Sequence, residues 1–362
     1  MSNKKNSKKK EKQQFYSKER SWKNFLFKFI ILTSIGISAV IITDQKKLFP
    51  TENYYKMLSY KRWVAFDKMT ENGDIDILLL GNSHLYNGIN PDYLMKATGL
   101  QCFILADASI NVKDNYYVLE EALKKCNPQL VILETFGLTH RSVDKGSNVL
   151  ASIQCFDARE NIGLKFKSMF SIFRPEDYLP AWSMTLRNHN RLLESPEKIK
   201  EISERFIDVV ENNDNPYYGE YIRYATGMTD SVCSMFDSLG CPSDTIPWEV
   251  SEEGLKYLRK IVELCEKNNI KVMLLTVPMY FASVNNYDIA KIGKLKALSD
   301  QRIPWLDMQY PYDTTIFTPD CFEDTYDANL HMSYKGSILA TERLVKYIQH
   351  LNLIHRQSAK DE

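Results

Sequence analysis

The chain has 362 residues, of which 44% are hydrophobic, enough for one large domain or two smaller ones with a real core. Its formal net charge is zero, but residues 1–24 hold nine Lys or Arg and two Glu, so this tail carries 9 − 2 = +7 and the rest carries −7. The tail is short, has few aromatic residues and adjoins a hydrophobic segment, so its charge does not indicate nucleic-acid binding.

The first predicted element is a membrane anchor over residues 25–43. This stretch, "FLFKFIILTSIGISAVIIT", is nineteen residues long with one charge, Lys28, which can reach the headgroups from near the end of a span. A cleaved signal peptide is the alternative, but bulky residues occupy the place where a small-residue cleavage site would lie. The positive-inside rule then predicts a cytoplasmic tail over residues 1–24 and an extracytoplasmic remainder, at the cell membrane.

Strands and helices alternate after the anchor. Residues 44–72 predict a juxtamembrane helix or linker that leads to the first strand. Apolar runs predict strands at Ile75–Leu80, Cys102–Ala106, Gln129–Thr135, Lys271–Pro278 and Ile303–Met308. Helical periodicity predicts helices at Pro91–Thr98, Val112–Cys126, Glu197–Asn213, Ser251–Asn269 and Ser333–Asn352.

This alternation predicts an α/β fold with a doubly wound, flavodoxin-like parallel sheet and helices on both faces. The domain is expected over residues 73–355, with a tail at 356–362. Between about 141 and 250 the pattern is weak, which predicts a large, mostly helical insertion, too long for a structureless loop. In such sheets ligands bind outside the carboxyl ends of the strands, where Ser83, Asp107 and Glu134 fall.

Seven cysteines show no CxxC or zinc-finger spacing. Cys233 and Cys241 are close enough in sequence to close a short disulfide loop, but the odd total argues against a full disulfide framework. No phosphate loop, dinucleotide fingerprint or structural metal site is indicated, so no cofactor is expected.

The segment "LLLGNSH" places Ser83 directly after a buried strand. A serine in such a turn is ordinarily part of the turn, but a serine nucleophile needs the same exposure and a base within reach. His84 adjoins Ser83, and adjacent side chains generally diverge. His331 lies in "DTYDANLHMSYKG", before the closing helix, where Asp327 or Asp324 could hold its ring; the remaining histidines lie in or near the insertion or the tail (His140, His189, His350, His355).

The ordered pair of a strand-Gly-x-Ser and an Asp/His segment before the last helix resembles the SGNH (GDSL-type) hydrolase superfamily. "NPQLVILE", "NNIKVMLLTVP" and "HMSYKGSILATERLVKYI" extend the likeness to membrane-anchored SGNH-like proteins of bacterial envelopes, such as the teichoic-acid D-alanylation and alginate O-acetylation families. The resemblance covers roughly residues 73–140 and 250–350.

The resemblance implies that Ser83 is the nucleophile, His331 the base and Asp327 the orienting acid. The superfamily spacing Asp-x-x-His would place the acid at Ala328, so Asp327 lies one residue further away and Asp324 is the alternative.

The resemblance also implies an oxyanion hole that includes the backbone N–H of Ser83. Its second block, normally a glycine, falls on "DASIN", where Ala108 or Ser109 would offer a backbone N–H and Asn111 a side-chain donor. The third block, normally an asparagine, falls on Glu134-Thr135. Loss of one oxyanion donor typically costs about 10²–10³ in rate.

Two functions follow from the resemblance. The first is an extracytoplasmic serine esterase or O-acyltransferase that moves acyl groups, usually acetyl in the related families, on cell-envelope glycans. A membrane-bound O-acyltransferase would be its partner. The alternative is an inactive SGNH-like binding or scaffold module in envelope polysaccharide assembly. A metal-dependent hydrolase built on Asp107, Glu134 and histidines lacks a supporting HExxH or paired-His spacing.

Overall fold

The computed structural model describes residues 2–52, 54–73, 75–139, 149–211, 217–221, 227–239, 252–280, 303–309, 312–324 and 331–354. The chain divides into two compact units. The first comprises Met1–Thr51 and Ser183–Arg205, and the second comprises Glu52–Trp182 and Phe206–Glu362. The sheet and the candidate site belong to the second unit.

The sheet has five strands in the order β2-β1-β3-β4-β5, and each neighbouring pair is parallel. The strands are Ile77–Gly81 (β1), Cys102–Ala106 (β2), Leu130–Glu134 (β3), Lys271–Thr276 (β4) and Trp305–Asp307 (β5). This is the flavodoxin-like order of a doubly wound sheet. The predicted fold class is thereby confirmed.

Continuous apolar runs explain why the first three strands form. Every residue of β1, β2 and β3 is buried, as expected where helices cover both faces of a parallel sheet. Full burial of one aliphatic side chain contributes roughly 1.5–3 kcal/mol, so the three strands provide much of the stabilisation of this unit.

Fourteen helices lie in the described residues, numbered here in chain order. Their bounds are Ser2–Gln45 (α1), Tyr54–Asn72 (α2), Ser83–Gly88 (α3), Pro91–Thr98 (α4), Val112–Ala122 (α5), Phe136–Thr139 (α6), Val149–Ala158 (α7), Ile162–Ile172 (α8), Tyr178–Trp182 (α9), Met184–Arg187 (α10), Pro196–Glu211 (α11), Asp230–Leu239 (α12), Glu252–Lys267 (α13) and Tyr334–His350 (α14). The helix ends follow local chemistry: Asn90 caps α4 at its N-terminus, and Gly99 ends it in the left-handed conformation.

Helix α2 is an integral part of the sheet unit. It begins at Tyr54, within the 44–72 stretch predicted as juxtamembrane helix or linker. Trp63 and Phe66 are buried, and the ring of Phe66 packs edge-on against that of Phe103 in β2 at 5.4 Å between centroids. Burial of these aromatic side chains ties the stretch to the sheet.

The insertion returns to the outer edge of the sheet. The backbone N–H of Ile104 in β2 donates to the carbonyl of Tyr218 at 2.9 Å. Gly219 has a φ of +91°, and a Cβ there would lie 1.8 Å from the carbonyl oxygen of Ile104, so only glycine fits. Residues 217–221 therefore cover a strand edge that would otherwise be open to pairing.

The first unit is built on α1. Its segment Ser21–Gln45 has a mean hydropathy of 2.4 and is long and apolar enough to cross a membrane. At its end, the carboxylate of Asp44 accepts a hydrogen bond from the backbone N–H of Thr185 at 2.7 Å, and the hydroxyls of Thr43 and Thr185 are 2.9 Å apart. Residues 183–205 of the insertion thus contact the C-terminal end of this helix.

Candidate functional site

The candidate site lies at the carboxyl edge of the sheet, where three neighbouring strands end level. Gly81 at the end of β1 pairs with Ala106 of β2, and Leu80 pairs with Leu133 of β3. The segments 82–84, 107–111 and 134–136 therefore leave the sheet side by side. This edge is where a doubly wound fold binds its ligands.

Ser83 is the first residue of α3, so the strand passes into a helix without an intervening loop. Asn82 caps this helix: its side-chain oxygen accepts a hydrogen bond from the backbone N–H of His84 at 3.1 Å. The side chain of Asn87 donates to the carbonyl of Ser83 at 2.8 Å. Ser83 is half-buried, whereas Asn82 and His84 are buried, so the local fold presents the serine alone to the surface.

His331 faces a carboxylate that the sequence did not indicate, that of Glu323. The Nδ1 atom of His331 lies 3.8 Å from Oε2 of Glu323, whose side chain is 3% exposed. The backbone holds the two residues opposite each other, because the N–H of Glu323 donates to the carbonyl of His331 at 3.0 Å. Phe322 and Met332 form an antiparallel bridge beside them.

The other ring nitrogen of His331 is available for chemistry. Its Nε2 atom is buried and makes no hydrogen bond within the part of the chain that the structure describes. A buried polar atom without a partner typically costs about 1–3 kcal/mol. With a carboxylate at Nδ1 and an open Nε2, the ring has the orientation that a general base requires.

His84 connects the serine segment to His331. Its ring centroid lies 5.2 Å from that of His331 and 4.1 Å from that of Phe136. The residue beside Ser83 is therefore packed against the candidate base, across about 250 positions of sequence. His84 is buried and contacts the rings of both Phe136 and His331.

Of the two acids predicted to orient His331, only Asp324 lies among the described residues. Oδ1 of Asp324 accepts two hydrogen bonds from Thr229, one from its backbone N–H at 3.0 Å and one from its hydroxyl at 2.9 Å. Asp324 thus ties the end of the insertion to the loop that carries Glu323. Asp327 lies outside the described residues. The bridge that brings Glu323 to His331 joins two short segments, "CFE" and "HMS", each with a central apolar residue. This short pattern is the sequence signal that could have indicated Glu323.

Ser109 occupies a backbone conformation that favours glycine. Its φ is +57°, in the left-handed region, which costs a non-glycine residue roughly 1–2 kcal/mol. The resemblance to the SGNH superfamily implies a glycine in this block. Ser109 therefore holds a backbone conformation that a glycine would adopt without strain.

The side chain of Asn111 caps α5. Its oxygen accepts hydrogen bonds from the backbone N–H groups of Lys113 and Asp114 at 2.9 and 3.3 Å. Asp114 accepts in return from the backbone N–H of Asn111, which completes a capping box. Asn111 thus has a structural task besides the donor role predicted from the sequence.

Arg62 and Asp107 form a buried ion pair at the start of the segment that carries Ser109. The guanidinium donates to Asp107 at 2.8 Å and lies over the ring of Tyr86 in α3, 4.4 Å from its centroid. Ser59 donates to the same carboxylate at 2.5 Å. Burial raises the pKa of Asp107, against the opposing effects of Arg62 and Ser59. Helix α2 thereby contacts both sides of the site.

The third block has a buried carboxylate where the resemblance implies an asparagine amide. Glu134 is 1% exposed, and its Oε1 accepts a hydrogen bond from the backbone N–H of Phe136 at 2.8 Å. The hydroxyl of Thr135 lies 2.7 Å from that of Thr276 in β4. Neither interaction presents an amide donor at this strand end.

The described residues neither form a metal site nor include both cysteines of the predicted disulfide. Among the described residues, no group of three His, Cys, Asp or Glu side chains is arranged to hold a metal ion. Cys241, half of the pair predicted with Cys233, lies outside the described residues.

The site lies on a doubly wound α/β fold. No family model and no curated protein matches the chain. A protein assigned to the G-D-S-L lipolytic family from Desulfitobacterium hafniense DCB-2 is similar in structure, with 12% identity and a TM-score of 0.35, over 75% of this chain and 99% of that one. A protein assigned as an acylhydrolase from Bacteroides fragilis NCTC 9343 has 11% identity and a TM-score of 0.34, over 80% and 96%. The functional proposal rests on the site and not on these distant similarities.

Proposed function

We propose that the chain is a membrane-anchored serine hydrolase or O-acyltransferase of SGNH type, with Ser83 as nucleophile and His331 as general base. The observation that carries the proposal is the state of the His331 ring: Nδ1 faces the buried carboxylate of Glu323, and Nε2 is buried without a hydrogen bond among the described residues. Glu323 takes the orienting role that the sequence assigned to Asp327 or Asp324.

The proposed reaction has two steps, formation of an acyl-serine and its breakdown. His331 Nε2 accepts the Ser83 hydroxyl proton while Oγ bonds to the acyl carbon, and the alcohol of the donor ester leaves with that proton. Water or a sugar hydroxyl then attacks the acyl carbon and gives its proton to His331. The bond from the acyl carbon to Oγ breaks, His331 returns the proton to Oγ, and the carboxylic acid or the acylated sugar leaves. The backbone N–H of Ser83 and that of Ser109 would stabilise the oxyanion, with Asn111 as a further candidate donor.

The resemblance to envelope families supports the finer assignment. It favours acetyl groups and cell-envelope glycans as substrates, with a membrane-bound O-acyltransferase as the source of the acyl group. The apolar helix Ser21–Gln45 supports an uncleaved anchor, and the basic tail supports a cytoplasmic N-terminus with the sheet unit outside the cytoplasmic membrane.

Labelling with a fluorophosphonate, which reacts with activated serines, tests the proposal. Ser83→Ala should abolish labelling and ester hydrolysis, and His331→Ala should slow both by about 10²–10⁴-fold, the usual contribution of a general base. Ser238→Ala and His189→Ala, at exposed positions, serve as controls that leave both rates unchanged. Wild-type labelling of Ser83→Ala would refute the nucleophile.

One observation favours the second function, an inactive binding or scaffold module. Glu134 places a buried carboxylate at the strand end where the resemblance implies an oxyanion donor, and a negative charge there would oppose an oxyanion. Absence of labelling in the wild-type chain, with retained glycan binding, would support this function.

A further inference from the structure

Helix α8 carries apolar side chains on a buried face and on an exposed face. Leu164, Met169 and Ile172 face the interior and are buried. Ile162 and Phe166, four residues apart, lie on the outer side and are 71% and 55% exposed. Residues four apart share one helix face. Ile162 and Phe166 therefore form an exposed apolar stripe, called here the outer stripe, that is separate from the side chains packing α8 against the interior.

The outer stripe continues with Phe170 in α8 and extends onto α9 with Leu179 and Trp182. These three residues are 46%, 68% and 42% exposed. We call the five residues Ile162, Phe166, Phe170, Leu179 and Trp182 the outer apolar face.

The aromatic rings of this face support one another. Phe166 packs edge-on against Phe170 and Trp182, with centroids 5.0 and 6.3 Å apart, and Phe170 packs against Tyr178 at 5.3 Å. Single exposed apolar residues are common on protein surfaces, but a contiguous, preformed apolar patch marks an interaction site.

A short stretch of chain joins Trp182 to a residue that contacts the end of the apolar helix. Trp182 precedes Thr185 by three residues, which span at most about 11 Å when fully extended. Thr185 is hydrogen-bonded to Asp44, in the last turn of Ser21–Gln45. If that helix crosses a bilayer, Asp44 lies at its surface, and Trp182 lies within reach of the headgroups.

We propose that the outer apolar face inserts into the headgroup region of the bilayer leaflet on the side of the sheet unit. Trp, Tyr and Phe are the side chains that favour this region. The surrounding charges have both signs, with Lys165, Lys167 and Arg174 near Glu176 and Asp177, so the apolar contact and not a basic patch supplies the affinity. The inference rests on the proposed membrane anchor and is independent of the acyl chemistry.

Photocrosslinking of the full chain in vesicles of phosphatidylcholine and phosphatidylglycerol tests the inference. The photoreactive residue p-benzoylphenylalanine would replace Phe170 on the face, Ile35 in the apolar helix, or Leu351, a matched exposed apolar residue after α14. We expect lipid adducts from positions 170 and 35 and none from position 351.

Each other result has a defined meaning. Adducts from position 35 alone would refute the interfacial face and leave the anchor intact, whereas no adducts from either position would refute the anchor itself. Protein–protein adducts from position 170 would assign the face to a second copy of the chain and overturn the proposal. Fluorophosphonate labelling of the same samples reports separately on Ser83.

Discussion

Glu323 and His331 are fixed relative to each other by backbone hydrogen bonds rather than by side-chain contacts alone. The N–H of Glu323 donates to the carbonyl of His331, and the N–H of Ser333 donates to the carbonyl of Cys321. The 3.8 Å between Nδ1 and the carboxylate is longer than a hydrogen bond, as catalytic pairs without substrate often are. A small closure would complete the pair.

The carboxylate of Glu323 is therefore expected to matter more than its neighbour. Glu323→Gln should lower kcat for ester hydrolysis by about 10²–10⁴-fold with little change in KM, since loss of the orienting carboxylate weakens the base. Asp324→Asn is the matched control, because its side chain contacts Thr229. Equal effects of the two substitutions on kcat would contradict the assignment.

Single residues also show where sequence reasoning ends. Ser83 and His331 can be proposed from the sequence because one follows a buried strand and the other precedes a long amphipathic helix. Glu323 cannot, since it reaches His331 through a bridge of a few residues that has no periodicity. The left-handed conformation of Ser109 was equally invisible in "DASIN".

At the level of elements, α2 and α5 support the site from behind. Arg62 in α2 joins Asp107 to Tyr86 of α3, and Asp114 in α5 fixes the start of that helix through its capping box. Both carboxylates are buried, so their contribution to stability depends on their partners and on pH.

Removal of the Arg62 guanidinium should destabilise the sheet unit. Arg62→Met leaves Asp107 buried and unpaired, which typically costs about 3–5 kcal/mol. Lys96→Met, which breaks an exposed pair with Asp92, should cost no more than about 1 kcal/mol. Denaturant unfolding of the two variants in detergent compares these values, and similar losses would contradict the ranking.

Asp114 predicts a pH dependence of stability. Burial raises its pKa from 3.8 to about 6, so the folded state binds the proton more tightly than the unfolded state. Its contribution to stability therefore falls as the pH rises from about 4 to about 6 and is constant above that range, by at most about 3 kcal/mol.

Asp114→Asn removes this titration. The variant should gain in unfolding free energy relative to wild type between pH 4 and pH 6, as measured by urea unfolding at several pH values. A difference between the two proteins that stays constant over this range would show that Asp114 does not titrate there.

At the scale of the whole molecule, the parallel sheet with helices on both faces was predictable because strands alternate with helices and their crossovers are right-handed. The path of the insertion was not. Contact of residues 217–221 with β2 depends on Gly219 and Ile104, more than 100 positions apart, and such non-local pairing leaves no local pattern.

The proposed orientation can be tested on whole cells. With the N-terminus cytoplasmic, protease added to spheroplasts should remove a tag after residue 362 and spare a tag before residue 1, because the positive tail is retained inside. After lysis both tags should be lost. Protection of the C-terminal tag in intact spheroplasts would contradict the orientation.

The division of the site along the chain has a consequence for biosynthesis. Ser83 and its strand can form early, as β1, β2 and β3 lie within residues 77–134, whereas Glu323 and His331 follow Ser83 by 240 and 248 positions. Domains generally fold as units. In the proposed site, a growing chain would thus carry an unactivated serine until Glu323 and His331 have been synthesised and have folded against the sheet.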